Sequence, residues 1–170
     1  MGRLRRMVPI LFSLLLLPAF GCGGAVDPDA ARATAGCEPA TSAELAESTT
    51  MLPGRACLNC HTQGGQAGDA DVRWTAAGTV FGSINAACNT GGIPGVTVDI
   101  LDAAGKTQIS LTTNAAGNFF TLAPLTFPLR ARLSKNGKTQ EMAELQVTGN
   151  CHSCHAQPPA NTAPGRLFLN

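Results

Sequence analysis

Apolar and polar residues alternate along much of the chain between residues 76 and 148, which predicts short, half-buried β-strands. Val96, Val98 and Ile100, for example, are separated by the polar residues Thr97 and Asp99, which gives the two-residue period of a strand with one buried face. Turns rich in Gly and Asn separate the strands at intervals of roughly 8–12 residues. The predicted strands cover residues 77–84, 96–100, 109–113, 119–122, 129–133 and 141–147. We therefore expect an all-β fold, an antiparallel sandwich.

The first 22 residues predict an export signal. Three arginines within the first six residues precede an apolar stretch over residues 8–20, which is too short to span a bilayer comfortably. The run Ala-Phe-Gly-Cys that ends at Cys22 resembles the bacterial lipobox. That resemblance implies lipidation of Cys22 and, because Gly23 follows it, sorting to the outer membrane. Ordinary secretion, with Cys22 as a bystander, is the alternative.

Residues 23–55 are rich in Ala, Thr, Ser, Gly and Pro, and they predict a flexible tether.

The net charge of the chain excludes one class of partner. The formal net charge of the whole chain is +1. Removal of the signal leaves nine basic against 11 acidic residues, a net charge of −2. Neither value provides the basic field that nucleic-acid binding requires, so no nucleic-acid partner is expected.

The strongest chemical signal is the pattern CxxCH, which occurs as CLNCH at residues 57–61 and as CHSCH at residues 151–155. Both resemble the attachment site of c-type haem. The resemblance implies two covalent haems, each held by two cysteine thioethers, with the following histidine as the proximal iron ligand. The residues implied are Cys57, Cys60 and His61 for the first haem, and Cys151, Cys154 and His155 for the second.

Two other uses of these cysteines remain open. Paired CxxC segments can also form a four-thiolate zinc or iron site, although the first cysteines of the two motifs stand 94 positions apart, at 57 and 151. Disulfides between the motifs are a further alternative in an oxidising compartment.

The sixth ligands of the two irons come from a short list. The chain has three histidines, and all of them lie within the CxxCH motifs, so bis-histidine ligation of both irons is impossible within one chain. His152, Met51 and Met142 are the possible sixth ligands. Met142 falls in a predicted strand, where a place in the core is the competing interpretation.

The seven cysteines can then be divided among three uses. Lipidation takes Cys22 and the two haems take four, which leaves Cys37 and Cys88 as a possible disulfide. Two unpaired thiols are the alternative.

Residues 78–119 resemble the carboxypeptidase regulatory-like domain. The resemblance lies in the run Gly-Thr-Val, then Ile-Pro-Gly-Val-Thr-Val-Asp-Ile-Leu-Asp-Ala-Ala-Gly-Lys, then Thr-Thr-Asn-Ala-Ala-Gly-Asn-Phe. It implies an immunoglobulin-like or transthyretin-like sandwich, which short irregular or helical CxxCH segments would flank. The family pattern contributes no catalytic residues.

These observations predict an exported, membrane-anchored dihaem cytochrome that transfers electrons to and from redox partner proteins. We expect a periplasmic or outer-membrane lipoprotein of a Gram-negative bacterium, attached to the membrane through its N-terminal lipid. No small-molecule substrate is indicated. An enzyme is not expected because no acid–base constellation accompanies the motifs; a small haem-dependent reductase or peroxidase is the alternative. The alternative is a cell-surface binding or structural module whose CxxCH motifs bind zinc or form disulfides. The expected segments are 1–22 (signal), 23–55 (tether), 56–75 (first motif), 76–148 (sandwich) and 149–170 (second motif and tail).

Overall fold

Six β-strands form two antiparallel sheets in the computed structural model, which describes residues 37, 46–62, 73–159 and 162–169. The strands are β1 (Ala76–Thr79), β2 (Thr97–Asp102), β3 (Thr107–Thr112), β4 (Asn118–Thr121), β5 (Leu129–Lys135) and β6 (Lys138–Glu141). Strands β1 and β4 make one sheet, and the other has the order β3-β2-β5-β6. The expected all-β, sandwich-like antiparallel fold is confirmed. The export signal, Cys22 and most of the tether lie outside the described residues.

The hydrophobic core lies between the two sheets, because alternate residues of β2 and β5 point inwards. Val98 and Ile100 on β2 are buried with Ala131 and Leu133 on β5, whereas the residues between them are at most half-buried. Phe119 on β4 packs against this face. Each large side chain buried in this way contributes about 1.5–3 kcal/mol.

The expected strand over residues 141–147 is wrong. Asn136 and Gly137 have φ values of 51° and 78°, and they form a two-residue turn between β5 and β6. The turn pairs Lys135 with Lys138, so the strand begins at Lys138 and ends at Glu141. The residues that follow form no strand, although the N–H of Met142 donates to the carbonyl oxygen of Ala131 and Gln146 bridges Leu129. The segment 142–149 is thereby free to line a cavity beside β5.

The short strand β1 consists of small residues and carries both CxxCH segments. All four of its residues are buried, and the turns at Cys57–Asn59 and Cys151–Ser153 both pack on it. A Cβ atom on Gly78 would lie 2.9 Å from the ring of Phe119 and 3.1 Å from the Cβ of Cys151. The missing side chain therefore allows the second motif to approach the sheet closely.

A disulfide joins Cys37 to Cys88, with 5.4 Å between their Cα atoms. Disulfides persist in oxidising compartments, which indicates an extracytoplasmic domain. Among the described residues, no helix is long and apolar enough to cross a membrane.

Candidate functional site

The two CxxCH segments adopt the same backbone conformation. Each begins with a 3₁₀ turn, at Cys57–Asn59 and at Cys151–Ser153. The residue before the turn has φ −76° and ψ 83° in the first motif, and φ −80° and ψ 80° in the second. In both motifs the histidine N–H donates to the carbonyl oxygen of the first cysteine over 2.9 Å. Two segments that are distant in sequence thus each present two cysteines and a histidine from the same backbone conformation.

The motifs meet in space. The side-chain amide of Asn150 donates to Oδ1 of Asn59 over 2.8 Å. Burial, and then the charge of the nearby Cys57, raises the pKa of the Cys151 thiol to about 12. Burial also raises the pKa of Cys57 to about 12. The first cysteines of both motifs are therefore neighbours and are uncharged at neutral pH.

His155 has the tautomer expected of an iron-binding imidazole. Its Nδ1 lies 2.8 Å from the carbonyl oxygen of Gly165, and because a carbonyl only accepts, Nδ1 carries the proton. Nε2 then keeps its lone pair. A backbone carbonyl that holds one ring nitrogen while the other ligates a metal is the usual second partner of such histidines. Burial lowers the pKa of His155, so the ring is neutral at pH 7.

A cavity of about 610 Å³ adjoins the second motif. Its wall includes Cys151, Cys154 and His155, together with apolar residues of β5 and the segment 142–149. This volume is within the range of cofactor sites, which are mostly apolar with a few polar groups. The second motif therefore faces a space that suits a large apolar ligand.

His152 is buried and engages the backbone through both ring nitrogens. The N–H of Thr79 donates to Nε2 over 2.9 Å, so the proton is on Nδ1, which donates to the carbonyl oxygen of His155 over 2.9 Å. Burial lowers the pKa of His152 to about 3. Ligation of iron by His152 would require one of these hydrogen bonds to break.

The two methionines occupy different places. Met142 follows β6 and lines the cavity that Cys151 and His155 also line. Met51 lines a separate cavity of about 280 Å³ with residues of the preceding segment. Its carbonyl oxygen accepts a hydrogen bond from Asn118 over 2.9 Å. Met142 is therefore the methionine that shares a site with the second motif.

His61 is the end of a stack of three rings, of which Trp74 and Phe120 carry no sequence motif. Its imidazole stacks on the indole of Trp74 with ring centroids 3.8 Å apart and planes within 4°. Trp74 in turn stacks on Phe120 at 4.3 Å and 8°. The sequence feature that could have indicated this stack is the single tryptophan of the chain, 13 positions after His61.

Thr79 on β1 connects the two motifs through buried hydrogen bonds. Its hydroxyl accepts from the N–H of Gly54 over 2.9 Å and donates to Oδ1 of Asn118 over 2.7 Å. Its own N–H donates to His152. The loop before the first motif and the histidine inside the second are thus positioned by one residue.

Arg166 is buried and joins the C-terminal segment to the disulfide. Its guanidinium donates to the carbonyl oxygen of Gly54 over 2.8 Å and to that of Ala86 over 3.2 Å, and it lies 2.8 Å from the sulfur of Cys88. The preceding residue, Gly165, holds His155. No sequence motif marks this arginine.

In the described part of the chain, the cysteines of the motifs are not gathered as metal ligands. Within the described part of the chain, which includes both motifs, no three His, Cys, Asp or Glu side chains gather as metal ligands would. Cys57 and Cys151 carry free thiols, whereas Cys154 is disulfide-bonded. The geometry therefore gives no support to a four-thiolate zinc centre.

No protein-family model, curated protein or solved structure matches this chain. The resemblance of residues 78–119 to the carboxypeptidase regulatory-like domain thus rests on the sequence pattern and on a sandwich-like fold.

Proposed function

We propose that the protein is an exported dihaem c-type cytochrome that transfers electrons between redox partner proteins. The repeated geometry of the two CxxCH turns supports this conclusion. Each turn places two cysteine side chains three positions apart and an imidazole directly after the second. Two matching copies that meet on one strand suit two cofactors held side by side.

The residues of the second motif fit haem c. Cys151 and Cys154 would form the thioethers, and Nε2 of His155 would bind the iron while Gly165 holds the proton on Nδ1. The adjoining cavity supplies apolar walls against which a porphyrin could pack. Met142 lines the same cavity and offers its thioether sulfur as the sixth ligand.

Cys57, Cys60 and His61 would hold the first haem in the same manner. In each attachment a thiol S–H adds across a vinyl double bond, so that one C–S and one C–H bond form with no net change in electrons. The disulfide of Cys154 must first be opened by a dithiol reductant, which gives two electrons and two protons and becomes a disulfide. When bound, haem c supplies an iron that takes one electron from a donor protein and gives it to an acceptor protein.

The rest of the chain suits a carrier at a membrane surface. The lipobox-like Cys22 would carry a lipid, and the part of residues 23–55 that precedes the disulfide at Cys37 would tether the folded domain to the outer membrane of a Gram-negative bacterium. The sandwich, related in pattern to the carboxypeptidase regulatory-like domain, would be the scaffold. The Cys37–Cys88 disulfide agrees with a periplasmic or surface location.

The visible spectrum and the mass of the full chain, exported in a host that attaches haem c, test the proposal. We expect a Soret band that survives acid–acetone extraction and a mass that includes two haems. The double variant Cys151→Ala/Cys154→Ala should retain one haem. The matched control Cys37→Ala/Cys88→Ala, which also removes two cysteines, should retain both. A colourless protein with stoichiometric zinc, or with the motif cysteines joined as disulfides, would overturn the proposal and favour a structural module.

A further inference from the structure

The stack of His61, Trp74 and Phe120 begins on the sheet and ends on a proposed iron ligand. Phe120 belongs to β4 and pairs with Ala77 of β1, so the strand register sets the position of its ring. Trp74 lies on that ring and His61 lies on Trp74, with centroid distances of 4.3 Å and 3.8 Å. The planes differ by 8° and 4°, so the strand determines the plane of the imidazole.

The stack is separate from the hydrophobic core. Phe119, the neighbour of Phe120 on β4, points inwards and is 3% exposed. Successive residues of a strand point to opposite faces, so Phe120 points away from the core. Trp74 and Phe120 are half-buried and do not belong to the core cluster. Core packing therefore does not account for three parallel rings.

We propose that Trp74, supported by Phe120, is a positioning residue for His61 that stabilises the oxidised state of the first haem. This inference rests on the proposed function. An indole presents an electron-rich face that attracts electron-poor or cationic groups. An imidazole bound to ferric iron is more electron-poor than one bound to ferrous iron. The stack on Trp74 is therefore stronger in the oxidised state, which lowers the reduction potential.

The arrangement around His155 is different. That ring is held by a hydrogen bond from Nδ1 to the carbonyl oxygen of Gly165. Among the described residues, no aromatic ring stacks on His155. Removal of Trp74 should consequently alter the first haem and leave the second unchanged.

The test measures both reduction potentials and the electron paramagnetic resonance spectrum of the ferric holoprotein. In Trp74→Leu we expect the potential of the first haem to rise by about 59 mV, which corresponds to a tenfold change in the one-electron equilibrium constant. We also expect a broader ferric signal, because the plane of the imidazole is no longer fixed. Trp74→Phe keeps a ring with a weaker face and should shift the potential by a smaller amount.

Controls separate this inference from the proposed function. Phe127→Leu removes an aromatic ring that is 41% exposed and not in the stack, and it should change neither potential. The variant Cys57→Ala/Cys60→Ala, which keeps only the second haem, identifies which of the two reduction potentials belongs to the second haem. Trp74→Leu with two haems and unchanged potentials would overturn this inference alone. Wild-type protein without haem would overturn both.

Discussion

The side chain of Asn150 donates a hydrogen bond to Oδ1 of Asn59 across 2.8 Å, although 91 residues separate the two positions. This bond joins the two CxxCH turns directly. We expect Asn59→Ala and Asn150→Ala each to lower the free energy of unfolding, and the double variant to lose less than the sum. The coupling energy should be about 0.5–1.5 kcal/mol, the net value of a hydrogen bond.

Urea unfolding of the wild type, both single variants and the double variant measures this coupling. Asn136→Ala, in the exposed turn between β5 and β6, serves as a control that should not couple with either. Strictly additive effects of the Asn59 and Asn150 substitutions would show that the bond does not join the motifs in solution.

Met142 should ligate the second iron, because it lines the cavity that His155 faces. Leucine has nearly the volume of methionine but no sulfur, so Met142→Leu should leave the fold intact and convert one of the two haems to high spin. Met51→Leu is the matched control, since Met51 lines a different cavity. The visible and paramagnetic resonance spectra report the spin states, and a response of Met51→Leu in place of Met142→Leu would reverse the assignment.

We expect His152 to stabilise the fold and not to ligate iron. Substitution by Ala leaves the buried N–H of Thr79 without its acceptor, which costs about 1–3 kcal/mol, and the lost packing adds to this. We expect a lower midpoint of urea unfolding with an unchanged number of low-spin haems. A stable His152→Ala protein that had lost one low-spin signal would instead make His152 an iron ligand.

Arg166 should be irreplaceable by lysine. Its guanidinium contacts the carbonyl oxygens of Gly54 and Ala86 and the sulfur of Cys88, and one ammonium group cannot reach all three. Arg166→Lys should therefore lower the free energy of unfolding by about 1–3 kcal/mol. Arg132→Lys, at a half-exposed surface ion pair, should lower the free energy of unfolding by clearly less. Similar midpoints for the two variants would contradict the importance of the buried contacts.

Asp99 should make stability depend on pH. Hydrogen bonds from Ser110 and Arg132 lower its pKa from the usual 3.8 in the folded protein. A carboxyl group whose pKa is lower in the folded state stabilises the fold above pH 3.8, and this stabilisation is lost as the pH falls below that value.

The variant Asp99→Asn should therefore show a shallower loss of unfolding free energy between roughly pH 5 and pH 2 than the wild type. Glu144→Gln, which removes the same charge from an exposed position outside these contacts, should keep the wild-type slope. Parallel curves for Asp99→Asn and the wild type would exclude the role of Asp99.

Local sequence signals predict much of the fold but little of what surrounds the motifs. Alternation around Val98 and Leu133 marks β2 and β5, because one face of each strand is buried. The last predicted strand is wrong because residues 144–147 alternate as a strand does, while the turn at Asn136 and Gly137 determines where pairing begins. The spacing of apolar residues alone does not show which residues pair across two strands when a turn determines the register.

The contacts that organise the site depend on the folded chain. Thr79 and His152 are 73 positions apart, and Arg166 and Gly54 are 112 apart. No local pattern distinguishes a buried arginine that binds carbonyl oxygens from an exposed one. The CxxCH motifs are visible in the sequence because their chemistry is local, whereas their meeting on β1 requires the sheet.

Both turns pack on the four residues of β1, so the polypeptide between them begins and ends at the same place in the fold. Loops at the far end of the sandwich can lengthen or shorten without altering the distance between the two turns. The number of residues between the two motifs therefore does not determine the distance that an electron would have to cross between the two proposed haems. Chains with very different spacings between their CxxCH motifs could share one arrangement of cofactors.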